Sequence, residues 1–71
     1  MELFNEKTLG LLNQGASLMA VENYSEAVNV FEKAAKESPK FIDCYINLGN
    51  AYASIEKLIK IGGLYESISL F

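Results

Sequence analysis

Apolar positions recur along this chain at helical spacing in four stretches. Leu11, Gly15 and Leu18 share one face, with Leu12 and Met19 beside them. That pattern predicts an amphipathic helix. The stripe fails at Glu22-Asn23. Asn23 reads as an N-cap, and Glu26 three residues on completes a capping-box pattern. A second stripe runs through Tyr24, Ala27, Val28, Phe31, Ala34 and Ala35, and ends in Lys36-Glu37-Ser38-Pro39. Lysines in the last turns suit the helix dipole. Pro39 cannot continue a helix without losing a backbone hydrogen bond, so Ser38-Pro39 divides the chain into two halves.

The pattern restarts after Pro39. Phe41, Tyr45, Leu48, Gly49 and Tyr52 form a third stripe, extended by Ile42 and Ile55. The polar pair Glu56-Lys57 reads as a turn. Leu58, Ile61, Leu64, Tyr65, Ile68 and Phe71 form a fourth stripe, interrupted by Gly62-Gly63. A mid-helix glycine costs about 1 kcal/mol against alanine, so this last helix carries a local penalty. The expected architecture is all-α, with helices over about 3–21, 24–37, 41–55 and 58–70 arranged as two antiparallel hairpins. A second register places a longer loop at Gly62-Gly63 and starts the last helix at Leu64. No Gly/Ser-rich linker appears, so residues 1–71 read as one domain.

The two halves match each other. A shift of 34 residues places Gly15 on Gly49, Leu11 on Tyr45, Leu18 on Tyr52, Asn13 on Asn47, Glu22 on Glu56, Glu32 on Glu66 and Phe31 on Tyr65. A fixed period in this range is the signature of a helical array. Glycine at 15 and 49 lets two helices cross closely. Ala27 and Ala34 do the same from the second helix, and Tyr24 and Phe31 fill the space between layers. Tyr45-x2-Leu48-Gly49-x2-Tyr52, Ala27-x3-Phe31 and Pro39 together resemble the tetratricopeptide repeat, with tyrosine where that pattern has tryptophan. The resemblance covers repeats at about 8–41 and 42–71. It implies a short right-handed α-solenoid and a protein-binding role. Two positions depart from it: Ile61 and Ile68 stand where the pattern has alanine.

Composition narrows the chemistry. The chain has 71 residues, 51 % of them hydrophobic and 21 % charged, a globular balance. Nine acids oppose six bases, a net charge of −3, and every base is a lysine. The bidentate fork of arginine and the basic footprint of a nucleic-acid binder are both missing, so nucleic acid is excluded as a partner. There is no histidine and one cysteine, Cys44. This leaves no intrachain disulfide, no Cys/His metal set and no base to activate the thiol. The expectation is a protein without enzymatic activity, metal or cofactor. No run approaches the length of a membrane span, and Met1 to Lys7 lacks the basic and apolar regions of a signal peptide. A cytoplasmic protein with a free thiol is expected.

In tetratricopeptide proteins the first helix of each pair lines a concave groove. The resemblance therefore implies a peptide-binding groove carrying Leu9, Leu12, Asn13 and Ala16 from the first repeat. Asp43, Ile46, Asn47, Asn50 and Ser54 come from the second. Asn47 and Asn50 share a helix face and can bond a peptide backbone through both carbonyl and amide. Some family members hold a C-terminal carboxylate with groove lysines and an arginine. This chain lacks those bases there, and Leu12 and Ile46 suit a more apolar peptide or a partner helix. The alternative is self-assembly. Two repeats fall short of the three or so that stable stacking needs. The apolar segment with Ile61, Leu64, Tyr65, Ile68 and Phe71 then pairs with a second chain, as a homodimer or by helix exchange.

Overall fold

A computed structural model describes the backbone of residues 3–69 and the side chains of residues 3–61. Among these residues the chain is all-helical: α1 spans Glu6–Ala20, α2 Tyr24–Glu37 and α3 Ile42–Ser69. α1 and α2 form an antiparallel hairpin. α3 packs along α2 on its other side and meets α1 at only a few residues.

Asn5 starts α1, later than the expected residue 3. Its side-chain oxygen accepts a 2.9 Å bond from the Thr8 amide, which satisfies one of the free donors of the first turn. α1 closes in a Schellman arrangement. The Asn23 amide donates to the Leu18 carbonyl at 2.8 Å and the Glu22 amide to that of Met19 at 3.0 Å. This motif puts Glu22 in the left-handed region, with φ 62°. The expected capping box is not formed. Asn23 is the N-cap of α2, but its side chain makes no cap hydrogen bond. Its backbone, at φ −88° and ψ 67°, follows the Schellman turn rather than the extended conformation that side-chain capping needs.

α2 has the expected bounds and carries the core. Ala27 and Ala34 are fully buried and Phe31 nearly so. Leu12, Leu18, Met19, Leu48 and Ile55 pack against the cluster that Ala27, Val28 and Phe31 form with Ala51. A methyl group at Gly15 would run into the Phe31 ring, with Cδ1 and Cζ at only 2.7 and 2.6 Å. The close crossing read from the sequence is therefore present at Gly15. Because α2 lies between two helices it buries a second stripe as well, including Val30, which its own pattern had not marked.

The second half differs from the sequence reading. The expected third and fourth helices are one helix, and the second hairpin is not formed. Glu56 and Lys57 are strong helix formers, and polarity alone does not end a helix. Glu56 and Lys60 make an i,i+4 ion pair at 3.0 Å across the expected turn. The helix also runs through Gly62-Gly63, since two glycines penalise a helix without breaking it as proline does. Without a fourth helix folded back, nothing among the described residues lies within 4 Å of a methyl group built on Gly49. Tyr45 and Tyr52 are half exposed for the same reason, although the third stripe marked them as core. The superposition of Tyr65 on Phe31 lies outside the described side chains, as does the departure at Ile68. The alternative register, with a loop at Gly62-Gly63 and a helix starting at Leu64, is not adopted, because the backbone stays helical through both glycines. The long third helix draws the molecule out to 59 × 20 × 12 Å.

Candidate interaction surface

The end of the hairpin is tied by polar side chains that the sequence reading did not single out. The Thr8 and Ser38 hydroxyls lie 2.5 Å apart and both residues are buried. Thr8 Oγ1 donates its one proton to Asn5 Oδ1 at 3.0 Å, so Ser38 donates to Thr8. Asn5 Nδ2 in turn donates to Glu37 Oε1 at 3.0 Å, and Lys7 Nζ lies 3.6 Å from Glu37 Oε2. The Asn5 hydrogen bond, and then the Lys7 charge, hold the Glu37 carboxyl below the usual carboxylate range. Phe4 stacks on Phe41 nearby, with ring centroids 4.5 Å apart. A shallow cavity of about 350 Å³ opens here, lined by Leu3, Phe4, Asn5 and Glu37 to Lys40. The sequence signal was Asn5-x-x-Thr8, a capping pattern ahead of the first apolar stripe.

The expected groove residues are divided between core and surface. Leu12 packs against the central cluster. Leu9, Asn13 and Ala16 are exposed on α1, and Asp43, Ile46 and Asn50 on α3. Asn47 is half-buried and its amide donates to the Asp43 carbonyl of its own helix at 2.8 Å. Ser54 is half-buried too, and its hydroxyl donates to the Asn50 carbonyl at 3.0 Å. Asn47 therefore keeps its side-chain carbonyl for a ligand, while Asn50 keeps both carbonyl and amide. The α1 and α3 sets flank α2 rather than lining one of the cavities described.

α3 carries several large apolar side chains in solvent. Leu58, Ile59 and Ile61 are each more than half exposed, as are Ile42 and Ile46. Of the residues expected to self-associate, Ile61 is thus on the surface, while Leu64, Tyr65, Ile68 and Phe71 lie outside the described side chains. Two tyrosines anchor the start of α3: Tyr45 donates to the Pro39 carbonyl at 2.6 Å and Tyr52 to Glu32 Oε1 at 2.8 Å. The Glu32 hydrogen bond is the main cause raising the Tyr52 pKa. Near the turn between α1 and α2, Ile55, Leu58 and Ile59 face Glu22 to Ser25 across a second concavity.

Cys44 is fully buried. Burial, and then the neighbouring Asp43 carboxylate, push its thiol pKa up, which is opposite to the shift a reactive thiol needs. Among the described residues no group of acidic, cysteine or histidine side chains is placed to hold a metal ion, and no helix is long and apolar enough to cross a membrane. Comparisons with protein-family models, with curated proteins and with solved structures each find no match.

Proposed function

We propose that this chain is a protein–protein interaction module of the tetratricopeptide type, acting by binding rather than catalysis in the cytoplasm. The observation that carries the reading is the apolar surface of α3, where five large aliphatic side chains stand more than half exposed. So many exposed aliphatic side chains on one helix support a surface that a partner covers. The 34-residue phase, the Gly15–Phe31 crossing and the buried Ala27 and Ala34 support the repeat assignment. The single buried thiol, with no disulfide partner, supports the compartment. The proposed ligand is an apolar peptide or partner helix. Ile46 supplies the hydrophobic contact, and Asn47 and Asn50 bond its backbone.

The test is selection from a displayed peptide library on the intact chain. Selected peptides should lose at least tenfold in affinity on the Asn47→Ala/Asn50→Ala variant, with helical circular dichroism unchanged. Equal affinity for both chains would remove the groove assignment. The second reading, self-association, is favoured by one observation. α3 is a single helix whose apolar residues Leu58, Ile59 and Ile61 follow the last core residues, Ala51 and Ile55.

A further inference from the structure

Lys7, Lys33 and Lys36 line a cavity of about 280 Å³ between α1 and α2, together with Leu11 and Glu37. The three lysines are exposed, and Leu11 is half-buried as the one apolar side chain of the lining. Three ammonium groups against one carboxylate give the cavity a net charge of +2, on a chain whose net charge is −3. The acids nearest along α2 are drawn elsewhere. The i,i+4 neighbours of Lys33 and Lys36 are Glu37 and Glu32. Glu32 Oε1 accepts from the Tyr52 hydroxyl of α3 at 2.8 Å. Glu37 accepts from Asn5 at 3.0 Å on one oxygen and faces Lys7 at 3.6 Å on the other. Glu32 ahead of Lys36 is the favoured order for a helical ion pair, yet that pair does not form. Among the described residues neither Lys33 nor Lys36 makes an ion pair. Bonds to other helices take both carboxylates, and two ammonium groups stay unpaired beside an apolar side chain.

We propose that this cavity docks an acidic segment of a partner protein, with an apolar side chain against Leu11 and flanking carboxylates on Lys33 and Lys36. Charge complementarity selects the partner and steers its approach. Each lysine is a point charge on a flexible stem, so the two can follow carboxylates in an extended or a helical segment. The concave shape and single apolar contact suit one inserted side chain. A bilayer instead presents a flat sheet of headgroups, and anionic ones would be set against Glu37. The cavity is lined by α1 and α2 alone, apart from Ile46, Asn47 and Asn50 on α3. It therefore stands independently of the groove reading and of self-association.

The test is fluorescence anisotropy on the full chain at low salt, with a labelled, end-blocked peptide Glu-Glu-Leu-Glu-Glu as probe. The unchanged chain should bind it saturably, and should not bind the Gln-Gln-Leu-Gln-Gln counterpart. Binding should be lost in 1 M salt, where the Debye length falls to about 3 Å. Lys33→Gln/Lys36→Gln should weaken binding at least tenfold with helical circular dichroism unchanged, since both side chains are exposed. Lys57→Gln/Lys60→Gln removes the same charge from α3 and should bind as the unchanged chain does. Equal weakening by the two double variants would overturn the site and leave only attraction by net charge. No saturation up to millimolar chain would overturn the proposal outright. So would capture of the chain by phosphatidylserine vesicles, lost in Lys33→Gln/Lys36→Gln, without binding of the peptide. Equal affinity for a peptide with serine in place of leucine would remove the contact on Leu11.

Discussion

Gly15 and Gly49 hold equivalent places in the 34-residue period, yet a methyl group meets different surroundings at each. At Gly15 it strikes the Phe31 ring, which is itself buried and has nowhere to go. At Gly49 it meets nothing within 4 Å among the described residues. Overpacking a core costs about 1–3 kcal/mol, while alanine gains up to about 1 kcal/mol over glycine in a helix. Gly15→Ala should therefore lose about 1–2 kcal/mol net, and Gly49→Ala should gain about 0.5–1 kcal/mol. Urea denaturation of the monomer measures both. If the two substitutions had the same sign, the asymmetry between the halves would be wrong. Glu22 and Glu56 are the other instructive pair. Glu22 takes a left-handed φ at the end of α1, whereas Glu56 stands inside α3. The repeat matches these residues in identity but not in conformation.

At the scale of elements, the hairpin is held by packing along its length and by hydrogen bonds at one end. Ser38, just past α2, donates to Thr8 in the first turn of α1, and Thr8 passes the bond on to Asn5. Thr8→Val leaves the buried Ser38 hydroxyl without its partner, which costs about 1–3 kcal/mol. Ser38→Ala leaves Thr8 its bond to Asn5 and should cost less. The double variant should be more stable than the sum of the two losses predicts, by about 0.5–2 kcal/mol, since removing both partners strands neither. Strict additivity in thermal or urea unfolding would mean the pair does not couple α1 to α2. These elements also divide what the sequence conveys from what it does not. α2 is legible because the apolar stripe lapses at the polar pair Glu22-Asn23 before it and Pro39 follows it. The length of α3 is not legible, because Glu56-Lys57 has the same composition in a turn as on an exposed helix surface. The candidate surface is legible in part. Ile46 and Asn50 are open, as the resemblance implied, but Leu12 belongs to the core. A single apolar residue at helical spacing does not say which of two neighbouring helices will cover it.

At the scale of the whole molecule, the core occupies one part of the length. Among the described residues the buried apolar side chains run from Ala27 to Ala51, and the half-buried ones packed on them from Leu12 to Ile55. Leu58, Ile59 and Ile61 contribute large exposed surface instead. A core this small gives limited stability, so few of its contacts are dispensable. Leu58, Ile59 and Ile61 nevertheless stand outside it. A chain ending at Lys57 should therefore unfold cooperatively, with a loss below about 1 kcal/mol, or a Tm drop of at most about 8 °C. It should also be monomeric if self-association runs through Leu58, Ile59 and Ile61, which it lacks. Thermal circular dichroism with light scattering on the same samples separates the two expectations. A shortened chain that melts without cooperativity would show that the segment from Leu58 onward belongs to the core of its own chain. A shortened chain that folds yet still dimerises would move the interface to the residues before Leu58. Folding intact while losing the dimer is the outcome that assigns one half of α3 to stability and the other to association.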